Sequence, residues 1–388
     1  MTIKEQAAVM KLNSTKMAVT TLEERNRALE GIREALLAHK EEIFKANKED
    51  MERAGKEGIA APILKRLKFQ EEKLQEVTTG ILDLIGLPDP LGKEQMRREL
   101  DTDLLLIRES CPIGVIGVIF EARPDAMVQI ASLCIKSGNC AILKGGSEAM
   151  KTNKKIFEII YQAAAAAGMP ENCMFQIEAR SDITELLECH ESVDLLIPRG
   201  SNEFVQYIMN HTKIAVMGHA DGICHIYADK TLDLDKAIPV ILDSKTQYTA
   251  VCNATETLLV HKEIAGELLP RLNEALRAKN VEVRGTKEVR QIVECEPATE
   301  EDFSTEYLDL IISVKIVEDI QEAVDHINKY GSHHTDCILT EDPKAARLFM
   351  QYVDSAGVYQ NCSTRFADGY RYGFGAEVGI STGKLHAR

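Results

Sequence analysis

Apolar positions along the chain follow two patterns, one helical and one of buried strands. From Thr21 the segment TLEERNRALEGIREALLAHKEEIFKANKEDMERA carries Leu29, Ile32, Leu36, Leu37 and Ile43 at helical intervals, and Thr21 with Glu24 has capping-box spacing. One long amphipathic helix is predicted there. Residues 60–84 repeat the pattern more weakly, and GLPDPLG at 86–92 interrupts it with two prolines and two glycines. Alternation around Leu104 to Ile107 predicts a strand, one arm of a hairpin.

From residue 113 apolar runs alternate with helical stretches: IGVIGVIF, PDAMVQIASLCIKSG, NCAILK, then SEAMKTNKKIFEIIYQAAAAAG. Strand, helix, strand, helix is the signature of a parallel sheet with crossover helices. The rhythm continues through residues 193–199, 214–218 and 222–229, and restarts at 257–261, 281–285, 310–317 and 336–340. Two α/β units are therefore predicted, in keeping with 388 residues, since single cores stop growing at roughly 250–300.

With 61 acidic and 46 basic residues the chain has a formal charge of −15, which opposes a phosphate-backbone footprint and argues against nucleic acid as a partner. The start, MTIKEQAAVMKLN, has no apolar signal core, and no stretch is apolar enough to span a bilayer, so a cytoplasmic protein is expected. Ten scattered cysteines, with no CxxC pair, give neither a zinc nor a disulfide framework; no metal is expected. They fit a reducing compartment, and composition alone singles out no nucleophile.

The short motifs GxGxxG, GxxxxGK[ST] and HExxH are absent. GISTG at 379–383 matches GxSxG, but only five residues follow it, too few for a triad. His333 and His334, like His190 and His211, read as solvated turns. The informative block is FEARPDAMVQIASLCIKSGNCAILKGGSE at 120–148, where strands end in Glu-Ala-Arg-Pro and Lys-Gly-Gly-Ser. Polar groups at the carboxyl ends of parallel strands line the crevice where α/β folds bind ligands, although solvated strand ends and a helix-opening Pro124 explain the same residues. In IPRGSNEF, Gly200 and Ser201 leave backbone amides free at a helix start, a site suited to phosphate.

Together GVIGVIFEARPD, SGNCAILKGGSE, DLLIPRGS, GHADGICHIYAD, CNATETLLVH and STRFADGYRYGFGAEVGISTGKLHAR closely resemble the gamma-glutamyl phosphate reductase branch of the aldehyde dehydrogenase superfamily, over almost the whole chain. The resemblance implies an α/β aldehyde dehydrogenase-like fold: two Rossmann-like domains and a small oligomerisation element. Residues 1–225 would hold the N-terminal helices and the dinucleotide-binding domain, with an oligomerisation hairpin near 95–110. Residues 226–358 would form the catalytic domain, and 359–388 a return segment. The family continues past LHAR, so a terminal piece that helps subunits associate is expected to be missing.

The resemblance also implies NADPH as cofactor and reduction of L-glutamyl 5-phosphate to L-glutamate 5-semialdehyde, the second step of proline biosynthesis. Lys144 matches the lysine that contacts the adenosine ribose. Ser147 stands where NAD-preferring members often carry glutamate, leaving room for a 2′-phosphate. Gly200 and Ser201 match the pair beside the pyrophosphate, and Glu306 the glutamate that holds the nicotinamide ribose. Cys252 matches the catalytic cysteine, with Asn253 and nearby backbone N–H groups as oxyanion donors. Ala122 occupies the place of the usual oxyanion asparagine, and His219 and Asp221 lie where hydrolytic members carry their glutamate base. Arg123 is the candidate for the substrate's phosphate and Arg365 for its carboxylate, because a guanidinium pairs with oxyanions through two hydrogen bonds. A homo-oligomer and association with glutamate 5-kinase are expected. Two rival readings are a non-phosphorylating aldehyde dehydrogenase and a non-catalytic dinucleotide-binding scaffold.

Overall fold

The computed structural model describes residues 1–59, 61–121, 123–179, 182–200, 202–218, 221–375 and 379–383. Two compact units divide the chain, Met1–Met217 and Gly218–Arg388.

The first unit opens with helices Ile3–Ala18, Leu22–Ala38, Lys40–Lys56, Ala61–Leu67 and Glu71–Gly86. Thr2 with Glu5, and Thr21 with Glu24, form complete capping boxes, which satisfy amide groups that a helix start otherwise leaves unpaired. The single helix predicted from Thr21 is two helices. His39 ends the first and begins the second, with no proline or glycine to mark the break, while Ile32, Leu36 and Ile43 keep one buried stripe across it. The predicted hairpin is present as β1 (Glu94–Asp101) and β2 (Leu104–Glu109), antiparallel, with Asp103 in the left-handed region at φ 61°. Leu100 and Leu104 to Ile107 are all exposed on it.

A four-stranded parallel sheet follows, made of β3 (Val115–Ile119), β4 (Cys140–Lys144), β5 (Met174–Gln176) and β6 (Leu195–Pro198), in the order β5-β4-β3-β6. Every residue of β3 and β4 is buried, as strands covered by helices on both faces must be, and for that reason they read as unbroken apolar runs. The strand predicted at 214–218 is only an isolated parallel bridge, Val216 to Leu196, along the edge of β6.

The second unit contains a seven-stranded parallel sheet of β7 (Cys224–Ala228), β8 (Thr255–His261), β9 (Glu282–Gly285), β10 (Glu296–Pro297), β11 (Ile311–Val317), β12 (Thr335–Leu339) and β13 (Gly357–Gln360). Their order is β10-β9-β11-β8-β7-β12-β13. Ile226, Leu258 and Val314 pack on one face with Leu268 and Leu272, while Tyr227, Leu259 and Ile338 pack on the other with Ile327 and Phe349. Successive residues thus serve opposite faces, the period-two geometry of a strand buried on both sides.

Candidate active site

In the first unit the chain starts the sheet at β3, adds β4 and β5 on one side, and returns to place β6 on the other. The order therefore reverses between β3 and β6, and in open α/β sheets ligands bind outside the carboxyl ends of strands at such a point. Glu121 and Arg123 follow β3 there; Arg199 and Gly200 follow β6. The two ends are close: Arg199 N–H donates to Ile119 C=O at 2.7 Å. A Cβ on Gly200 would stand 3.2 Å from Glu121 Oε1 and 3.1 Å from the Phe204 ring, so a side chain would fill the space that glycine leaves. Arg123 precedes the helix Pro124–Lys136, and its guanidinium donates to the buried Asp125 carboxylate at 2.8 Å. Lys144 ends β4 almost wholly buried, with Nζ donating to Gly145 C=O at 2.5 Å. Ser147 opens a short 3₁₀ turn in an exposed position, where its carbonyl accepts from Arg53 at 2.8 Å. Lys144, Ser147 and Gly200 thus share the carboxyl edge of one sheet. Ser201 and Ala122 lie outside the described residues, as does His219 in the second unit.

In the second unit the candidates gather at the opposite edge. Gly222 precedes β7, Cys252 and Asn253 precede β8, Glu306 precedes β11 and His334 precedes β12. Because these strands are parallel, their leading loops share the amino edge. Ala254 N–H donates to Val251 C=O at 3.1 Å, closing a turn that carries Cys252 in a half-buried position. Gly222 packs flush against that turn: a Cβ there would lie 2.0 Å from the Cys252 carbonyl oxygen and 2.3 Å from its Cα. From the far side the buried Cys224 thiol donates to the same carbonyl at 3.1 Å. Burial pushes the Cys224 pKa well above the usual thiol value, so it remains a donor.

Asn253 is buried with both ends of its amide engaged: Nδ2 donates to Ala367 C=O at 2.8 Å, and Oδ1 accepts from the Arg365 guanidinium. Its side chain therefore anchors the return segment. Thr364, hydrogen-bonded to Thr255 at 3.0 Å, ties the residue before Arg365 to the start of β8. Arg365 is half-buried, and burial together with Arg371 lowers its pKa, while the Cys252 thiol pulls the other way. Glu306 is half-buried; loss of solvation raises its pKa and Asp221 pushes it further up, while the Gly222 N–H works the other way.

His334 corrects the sequence reading. His333 is exposed in the left-handed region at φ 60°, but His334, directly before β12, is fully buried, with its Nδ1 3.8 Å from Cys224 Sγ. His190 and His211 are exposed. The sequence reading also missed Gly222, Cys224 and the buried pair Lys245–Glu256, with 2.5 Å between Nζ and Oε2. Among the described residues no group of three His, Cys, Asp or Glu could hold a metal ion, and no helix is long and apolar enough to cross a membrane.

Parallel sheets with a strand-end crevice in one unit and a clamped thiol turn in the other define a class. Residues 2–292 match the aldehyde dehydrogenase family, and the chain belongs to it. More narrowly, it is 56% identical to the gamma-glutamyl phosphate reductase of Acetivibrio thermocellus, an alignment covering 100% of this chain and 90% of that one. Against the same-named protein of Pelotomaculum thermopropionicum it is 54% identical, covering 100% and 89%. The crystal structure of gamma-glutamyl phosphate reductase from Thermotoga maritima superposes with a TM-score of 0.96 at 40% identity, covering 99% of this chain and 94% of that one. An acetylating aldehyde dehydrogenase from Geobacillus thermoglucosidasius, 18% identical with a TM-score of 0.62, shares the fold.

Proposed function

We propose that this chain reduces L-glutamyl 5-phosphate to L-glutamate 5-semialdehyde with NADPH, through a thioester on Cys252. The observation that carries this reading is the Cys252 turn, pinned by Gly222 and Cys224, in a chain 56% identical over its full length to a reductase of that name. The Cys252 thiolate attacks the C5 carbonyl carbon, the S–C bond forms, and the C–O bond to phosphate breaks with its electron pair leaving on phosphate. Backbone N–H groups near Cys252 serve the oxyanion in this reading, since the Asn253 amide is already engaged. Reduced nicotinamide, when bound, supplies the hydride that the thioester carbon accepts. The hemithioacetal then collapses, releasing the aldehyde and restoring the thiolate. With phosphate as the acyl partner, no base is needed to activate water.

The cofactor fits the first unit on one structural feature, the Gly200 position, where a Cβ would occupy the space between Phe204 and Glu121. There Gly200 serves the pyrophosphate, with Ser201 its partner by resemblance, Lys144 serves the adenosine ribose, and Ser147 leaves room for a 2′-phosphate. In the second unit Glu306 serves the nicotinamide ribose and Arg365 the substrate carboxylate; Arg123, with an exposed face, remains the candidate for phosphate. The exposed aliphatic residues of the β1–β2 hairpin suit pairing between copies of the chain, so Leu105→Asp should lower the mass measured by light scattering if they pair. Pull-down with glutamate 5-kinase tests the expected association.

The decisive assay runs the reaction backwards. NADP reduction with glutamate semialdehyde should require phosphate or arsenate, and equal rates without either would establish a non-phosphorylating dehydrogenase instead. Cys252→Ser should lower kcat by at least about 10³ with the fold intact, whereas activity surviving within tenfold removes the covalent step.

A further inference from the structure

The turn between β4 and the helix Met150–Ala166 carries Ser147 and Glu148, and one guanidinium spans it. Arg53 Nη2 donates to the Ser147 carbonyl at 2.8 Å and to the Glu148 carbonyl at 2.9 Å. Arg53 arrives from the helix Lys40–Lys56, 94 residues earlier in the chain than Ser147. Asp50, one turn back on that helix, accepts from the same nitrogen at 2.9 Å. Asp50 is wholly buried, and its other oxygen accepts from the Thr152 N–H at 2.8 Å and from the Thr152 hydroxyl at 2.7 Å. The carboxylate that holds Arg53 is thus itself fastened to the start of the helix after the turn.

These contacts occupy one end of the guanidinium only. A guanidinium carries five N–H donors, and among the described residues Nη1 and Nε make no hydrogen bond, on a side chain 32% exposed. The neighbouring lysines are engaged: Lys144 Nζ donates to Gly145 C=O at 2.5 Å, and Lys151 Nζ pairs with Glu49 at 2.6 Å. Ser147 itself is exposed and supplies room without charge. A phosphate monoester carries about two negative charges, and a guanidinium fixed beforehand pairs with it through charge-assisted hydrogen bonds at little ordering cost. A ribose hydroxyl offers no such partner. We propose that Arg53 receives the 2′-phosphate of NADPH at the Ser147 turn, with Asp50 as the residue that positions it. This rests on the reading of NADPH as cofactor and of Ser147 as a neighbour of its ribose.

The test is cofactor binding to the full-length protein without substrate, so that no catalytic step enters the readout. Arg53→Gln should weaken NADPH binding, followed by the cofactor's own fluorescence, about tenfold or more, as loss of one charge-assisted pair requires, and leave NADH within about twofold. Unchanged NADPH affinity, or equal losses for both cofactors, overturns the proposal. A probe that isolates the phosphate gives a check without a variant. Phenylglyoxal should modify Arg53 in the parent protein, followed on its peptide by mass spectrometry, and saturating adenosine 2′,5′-bisphosphate should slow that modification about fivefold or more where AMP does not. Equal protection by both nucleotides, or none by either, overturns it as well. The NADPH reading fails separately, through a parent protein that binds NADH as tightly as NADPH, and the proposal falls with it.

Discussion

The two units build their candidate sites at opposite ends of parallel sheets. In the first, Arg123, Lys144 and Gly200 follow the strands, so the order of β4, β3 and β6 alone brings them to one edge. In the second, Gly222, Cys252 and Glu306 lead into their strands, where topology brings loops together without fixing their conformation. Fixing it takes dedicated contacts: Asn253 to Arg365 and Ala367, Cys224 to the Cys252 carbonyl, and Gly222 against the turn. The first arrangement follows from strand order, whereas the second depends on individual contacts at the turn.

The sharpest way to break this contrast is one methyl group. Gly222→Ala places a Cβ 2.0 Å from the Cys252 carbonyl oxygen, a distance at which backbone must move. With Cys252 as the proposed nucleophile, a displacement of order 1 Å costs about 100-fold in kcat, and that loss is expected together with a lower unfolding midpoint, because backbone has to shift. Retention of parent kcat would show that the turn is softer than its contacts suggest.

The complementary change is made in the first unit and acts through charge. Ser147 is exposed, so Ser147→Glu has space to be accommodated. Its carboxylate would face the 2′-phosphate of NADPH and could accept from the free 2′-hydroxyl of NADH. The expected result is about tenfold weaker NADPH binding by fluorescence titration, in line with a single like-charge contact near the surface, and NADH binding equal or tighter. Equal losses for both cofactors would place Ser147 away from the ribose.

The same contrast explains what the sequence disclosed. β3 and β4 were legible because strands buried on both faces are nearly all apolar, and β7 and β8 through the apolar residues Ile226 to Ala228 and Leu258 to Val260; the two-residue β10 is too short to leave a pattern, and the apolar run at 214–218 forms only a bridge at Val216. The strand-end residues of the first unit were legible by the same logic. Cys252 emerged only through resemblance, since ten scattered thiols look alike in composition. Gly222 matters through backbone contact with a turn distant in sequence, which no local pattern encodes. Lys245 and Glu256, eleven positions apart on different elements, are residue types that usually mark the surface. His334 was misread with its exposed neighbour because a strand boundary one residue away decides between solvent and core.

A final difference between the units concerns protons. In the first, His39, His190 and His211 are exposed. In the second, His326 is buried among Phe303, Tyr330 and His225, with ring centroids 4.9, 4.6 and 5.6 Å away, and neither ring nitrogen has a hydrogen-bond partner among the described residues. Burial first, then the charges of His225, Lys315 and Lys329, push its pKa from 6.5 down to about 2. Between those values the unfolded chain binds a proton that the folded chain refuses. The stability contribution is therefore intact above pH 6.5 and drains as pH falls, by about 2 kcal/mol at pH 5. His326→Phe, which keeps a ring among the aromatic neighbours, should leave activity at pH 7 nearly unchanged and shrink the drop in the second unit's urea midpoint between pH 7 and pH 5. If parent and variant lose the same stability over that range, His326 is protonated within the fold and the acid sensitivity of this unit lies in its carboxylates.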